Sequence, residues 1–161
     1  MAKDLDKALQ EVEITYGQVK QIADEMLAPT FEPINQLVTE ISTMIQDLSI
    51  DSIRYYLLKM QLSAFSLSEL KDRASIKAEC AEAIKKEAYA SSYIVQDGAA
   101  AIRDSNATLA ISENIVAGCL YNLVASLTKT KLDQCLRLCD TLKSILMSRM
   151  QEAKLANSMT D

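Results

Sequence analysis

"SSYIVQDGAAAIRDSNATLA", residues 91–110, decides how the chain folds, because it is the one stretch where two long helical patterns come apart. It holds Gly98, one of only three glycines. Three roles compete for it: a hinge, a turn that folds one helix back on another, or a catalytic loop. Gly98 follows a helical pattern ending at Gln96-Asp97, where glycine adopts the left-handed geometry of a C-cap. Ala99, Ala100 and Ala101 propagate helix and carry no chemistry. Asp104 or Ser105 can cap a restart. The stretch has no nucleophile–base pair and no phosphate-binding glycine pattern, and Asp97 and Asp104 suit caps better than a cation site. It is a joint between helices.

Composition extends the helical reading to the whole chain. Three glycines and two prolines in 161 residues fall far below the usual share of about 7% and 5%. Sheets and α/β enzymes need many turns, and turns need those residues. The fold class is therefore all-α, in a single domain of residues 1–161. With two Phe, six Tyr and no Trp, its core is aliphatic. Histidine is absent, which removes the side chain that titrates nearest neutrality and the commonest transition-metal ligand. The cysteines, Cys80, Cys119, Cys135 and Cys139, form no CxxC pair. Cys135 and Cys139 share a helix face with Leu132, Leu136 and Leu142 and read as small buried hydrophobes. "MAKDLDKALQ" lacks the apolar run of a signal peptide, and no window reaches the roughly 18 apolar residues of a membrane span. A cytoplasmic location without membrane contact is expected, in the host cytoplasm if the chain is phage-encoded.

Charge is uneven. The net −5 lies in residues 1–60, which hold 5 basic and 10 acidic side chains. Residues 105–161 hold 6 basic and 5 acidic, so Lys129, Lys131, Arg137, Lys143 and Arg149 are the candidates for phosphate contact. The balance argues against a protein built to hold nucleic acid.

The apolar pattern runs at helical spacing nearly throughout. Leu5, Leu9, Val12, Tyr16, Val19, Ala23 and Met26 step by four and three, a heptad seam over about three heptads in a helix of 4–28 capped by Asp4. "LAPTFEP" then predicts a break, since proline disfavours helix at the residue before it and suits a first turn. A second helix over 33–48 places Ile34, Leu37, Val38, Ile41, Ile45 and Leu48 on one face. A third, capped by Ser49 or Asp51, runs to Ala64, and Ser66 or Ser68 caps a fourth that ends at Gln96. From Ser105 the pattern continues to Ala156, about 75 Å of helix at 1.5 Å per residue. A compact domain of this size is roughly 30–40 Å across. Such a helix either breaks near "SLTKTKLD" or buries its apolar face on another chain, and the second is expected. The predicted architecture is an elongated bundle or coiled coil of four or five helices. It has acidic N-terminal helices over 1–65, a long hairpin over 66–156 and a frayed tail at 157–161.

The segments "LKDRASIKAECAEAIKKEAYASSYIVQDGAAAIRDSNATLA" and "LYNLVASLTKTKLDQCLRLCDTLKSILMSRMQEAKLA" together resemble small all-helical accessory proteins of tailed bacteriophages, often encoded in early recombination and replication cassettes. The pattern is a charged helix, a glycine-containing joint, a restart at Arg103-Asp104 and a long helix ending at Leu146, Ser148 and Arg149. It covers residues 68–156 and departs from a Thr/Val-rich restart at Ala99–Ala101. The resemblance implies a phage accessory protein and carries no site residues.

The expected function is non-enzymatic: an oligomerising protein that acts by contact with itself and with a phage or host protein in DNA metabolism, with some single-stranded DNA contact as a lesser expectation. Leu5, Leu9, Val12, Tyr16, Val19, Leu127, Leu138 and Leu142 are the interface candidates. The alternatives are a virion or assembly component, or an acidic inhibitor of a host defence nuclease that uses Glu11, Glu13, Asp24 and Glu25. No catalytic residue, metal ligand or cofactor is expected.

Overall fold

The computed structural model describes the backbone of residues 2–95 and 100–158 and the side chains of 9–95 and 100–156. Among the described residues every element is helical: α1 Ala2–Met44, α2 Ile50–Val95, α3 Ala100–Ala110 and α4 Ser112–Ser158. The expected cap at Gly98 lies outside the described residues, as do positions 159–161 of the tail. On the near side of the joint α2 runs to Val95, close to the expected end at Gln96, but α3 is already helical from Ala100, ahead of the restart expected at Asp104 or Ser105.

Several expected helix ends are absent. Pro29 and Pro33 lie inside α1. An internal proline removes one hydrogen bond and costs about 3 kcal/mol. Both prolines are exposed, as is Glu25, and they lie four residues apart, so the carbonyls that lose a donor, at Glu25 and Pro29, belong to exposed residues. Leu27, Ile34, Leu37 and Ile41 are buried along the same stretch and hold the segment helical. Asp4 lies within α1, two residues after its start, and not before it as expected. Ser66 and Ser68 likewise sit within α2, where buried Ala64 and Leu67 continue the seam begun by Ile53 and Met60. Asp104 and Ser105 are internal to α3 and cap nothing. Thr128 is fully buried in an unbroken stretch of α4. The interruption falls instead at buried Ile111, where α3 and α4 meet at 46° and the Ile115 N–H donates to the Ile111 carbonyl at 3.1 Å.

The end of α1 follows from local chemistry. The hydroxyls of Thr39, Ser42 and Thr43 donate to carbonyls three or four residues back, competing with the backbone ladder. The helix gives way to a turn with Asp47 N–H bonded to the Met44 carbonyl at 2.9 Å. Ser49 then caps α2 as expected: its oxygen accepts from the Ser52 N–H at 3.1 Å.

The chain divides into two units, one of Met1–Leu27 and Lys71–Ser126, the other of Ala28–Leu70 and Leu127–Asp161. The division cuts across the expected segments 1–65 and 66–156. The second unit has a core of large side chains: Ile34, Leu37 and Ile41 from α1, Ile53, Met60 and Leu67 from α2, and Cys135, Cys139 and Leu142 from α4. Lys131 donates to Asn35 at 2.6 Å, and Arg149 to the Gln46 carbonyl at 2.7 Å, so α4 runs alongside α1 in the same direction. The first unit is thinner. Its buried residues include Ala23, Ala74, Ala78, Ala81 and Ala107, with Val19, Leu27, Ile111 and Val124 supplying the bulk.

Candidate functional site

The thin core of the first unit leaves an apolar groove open. Glu11, Val12, Thr15, Tyr16 and Val19 of α1 line one wall, and Cys119 and Leu123 of α4 the other, around about 540 Å³. The three-and-four spacing that predicts the seam puts Leu9, Val12 and Tyr16 on one stripe. They are 59%, 64% and 51% exposed. One turn later the same stripe closes over, with Val19, Ala23 and Leu27 buried. Leu27 takes the place expected for Met26, which is exposed. The Thr15 hydroxyl donates back to the Glu11 carbonyl at 2.9 Å, so the wall offers little besides apolar surface.

Two other concavities of this unit are polar. Between α2 and α4 lies a groove of about 750 Å³ lined in part by Glu79, Glu82, Lys85, Lys86, Asn114 and Asn122. Glu82 pairs with Lys85 and, at 3.9 Å, with Lys86. The Lys85 ammonium holds the Glu82 carboxyl below its ordinary range. These charges satisfy one another. At the α2–α3 junction, the Tyr89 and Tyr93 rings stack at 6.1 Å, and the Arg103 guanidinium lies 4.9 Å from the Tyr93 ring. The Tyr89 hydroxyl donates to Asp104, which raises the pKa of the phenol. Arg103 Nε is buried without a hydrogen-bond partner. The cluster pins α3 against the end of α2.

The remaining candidates separate. The Leu5 side chain lies outside the described residues. Leu127 and Leu138 are half-buried. Leu142 is fully buried within the second unit's own core, with Leu138 packed against that core. Leu142 is therefore a core residue, and not one available to another copy.

Three of the five basic candidates are engaged: Lys131 with Asn35 and, 5.5 Å away, the Phe31 ring; Lys143 with Asp140 at 3.1 Å; Arg149 with Gln46 and Glu152. Lys129 and Arg137 are exposed, but Asp133 lies between them at four-residue spacing on the same face. Nor do the acidic candidates form one patch. At 100° per residue, Glu13 and Asp24 fall on one side of α1, Glu11 and Glu25 on another. Asp24 pairs with Lys20 at 2.9 Å, and Glu25 accepts from Gln21 at 2.9 Å.

Sequence reasoning does not single out Cys119 and Leu123 as site residues. They follow the helical repeat of the chain, but their role depends on a wall supplied from more than a hundred residues away. Cys135 and Cys139 are buried and unpaired, as expected of small hydrophobes. Burial raises the pKa of both thiols.

Among the described residues, no group of three or more Cys, Asp or Glu could hold a metal ion. No single helix among them is long and apolar enough to cross a membrane, although the bent α3–α4 pair reaches that length and composition together. Compared with known proteins, the chain matches no family model, no curated protein and no solved structure. Fold and groove together define the class: an all-α helical bundle with an open apolar groove.

Proposed function

We propose that this chain is a non-enzymatic helical accessory protein that works by contact with other polypeptides, copies of itself included. The resemblance carried by residues 68–156 makes phage DNA metabolism the proposed setting. The observation that carries the reading is the stripe Leu9–Val12–Tyr16, more than half exposed along its length, whose Val12 and Tyr16 line the groove with Cys119 and Leu123. Its spacing suits an apolar helix face laid into the groove, a recognition mode read as anchors three and four residues apart. In the neighbouring polar groove Glu82 is paired with Lys85 and Lys86, which supports contact over catalysis. Direct DNA contact is the weaker part of the proposal, because three of the five basic candidates are engaged within the chain. No observation favours the acidic-inhibitor reading, whose carboxylates lie on two sides of α1.

The test is sedimentation of the labelled full chain in host-cell extract, beside Val12→Glu/Tyr16→Glu and Glu13→Lys/Asp24→Lys variants. The contact reading expects a shift to species larger than the chain forms alone in buffer, which the first variant abolishes and the second preserves, both variants melting like the parent. A shift lost only on charge reversal favours the acidic alternative. A chain that sediments as a monomer in extract overturns the proposal. Lack of retardation of single-stranded DNA at low salt removes the nucleic-acid part.

A further inference from the structure

We infer that Tyr55, Leu58, Leu62 and Phe65 of α2 form a second contact face, and that its occupant is the same face of a second copy, packed antiparallel about a two-fold axis near residue 60. This rests on the proposal that the chain acts by contact, but it concerns a different surface from the groove.

Within the second unit, α2 is apolar on two opposite sides. Ile53, Met60, Ala64 and Leu67 are buried in the core. Tyr55, Leu58, Leu62 and Phe65 are each more than half exposed, Phe65 at 75%. At 100° per residue the exposed four span about 80°, centred opposite the buried set. A helix apolar all round is ordinarily buried all round, and an apolar patch of this size, among the largest a monomer displays, is often functional.

The spacing selects the occupant. The steps three, four, three read the same in both directions. A two-fold contact requires a self-complementary surface, and an antiparallel pair about residue 60 sets Tyr55 against Phe65 and Leu58 against Leu62. The layers are then aromatic at both ends and leucine in the middle. The flanking positions are mostly short or neutral: Ser52, Ser66, Ser68 and Gln61. The two flanking cations are engaged within the chain: Lys59 lies over its own Tyr55 ring at 4.5 Å, and Arg54 pairs with Asp51 at 3.3 Å. Asp51 and Glu69 end the stripe, and a slip of one heptad would press a carboxylate onto leucine, which fixes the register. With aromatic side chains of about 150–250 Å², the four residues expose on the order of 500 Å² per copy. Two copies then bury about 1,000 Å², the lower bound for a specific interface.

The test uses the full chain with Cys80→Ser and Cys119→Ser, which leaves the two buried thiols in place. Light scattering should give a dimer mass. Leu58→Glu and Leu62→Glu should each weaken the dimer by more than about 100-fold, since each charge is buried twice in a symmetric pair, while helix content and melting stay those of a folded chain. Phe65→Ser serves as a milder variant if either glutamate fails to fold. Tyr55→Cys mixed with Phe65→Cys should cross-link under oxidation, whereas either alone should not, because the like positions lie roughly 15 Å apart along the axis. A monomer mass, a dimer indifferent to these variants, or cross-linking of Tyr55→Cys with itself would each overturn the assignment. Variants in Val12 and Tyr16 leave this dimer intact, so failure of the groove proposal and failure of this one give different results.

Discussion

Cys135 and Cys139 show how one residue type takes two characters in one chain. Both are core side chains of the second unit, whereas Cys80 and Cys119 are exposed. A thiol-reactive dye at neutral pH should label two cysteines rapidly and two only as fast as the protein opens; four equal rates would contradict the burial. The same burial sets a pH dependence. The folded thiols hold their protons above the unfolded pKa, so their stabilising contribution is complete below about pH 8.5. It is lost as pH rises through the raised folded values, and denaturant midpoints should fall on the alkaline side. Cys135→Ser should cost about 1–3 kcal/mol by burying a hydroxyl. Cys80→Ser should stay within roughly 0.5 kcal/mol of the parent. The burial of the Cys135/Cys139 pair was legible because their spacing and leucine neighbours specify a helix face, and burial on that face follows from the pattern alone.

At the scale of the element, prolines 29 and 33 are the instructive case. The sequence rule treats an internal proline as a helix end because two carbonyls lose their donors. It does not register the tertiary packing along the segment, and here both prolines are exposed while buried Leu27, Ile34 and Leu37 hold the helix. Pro29→Ala should therefore stabilise the protein, by about 1–3 kcal/mol, as an added hydrogen bond outweighs the looser unfolded chain. Destabilisation in a denaturant melt would mean the prolines set a turn. The break at Ile111 was hidden for the converse reason: no glycine or proline marks it, and the burial of Ala107 and Ile111 depends on tertiary packing. Half of the groove could be read from the heptad seam of α1. Its other wall, Cys119 and Leu123, could not, because the pairing of segments so distant in sequence leaves no local signature. The second apolar side of α2 is present in "SIRYYLLKMQLSAFSL" as apolar residues in excess of one face, and only placement of the core side reveals which are left over.

Across the whole molecule, the two units differ in what holds them. One is filled by Ile, Leu, Met and Cys, the other largely by alanine. Burial contributes about 25 cal/mol per Å², so the alanine-lined unit is the less stable of the two. Amide exchange should be slower at 34–41, 53–67 and 135–142 than at 12–19 and 74–81; the reverse order would contradict the difference in packing. The less stable unit carries the open groove, consistent with a core completed by contact.

If copies associate only when folded, the melting temperature must depend on concentration. Between about 1 and 100 μM, a dimerising chain of this length should gain roughly 4 °C. A melting temperature that stays fixed over that range would mean that each molecule folds alone and that its exposed apolar stripes do not join copies of the chain.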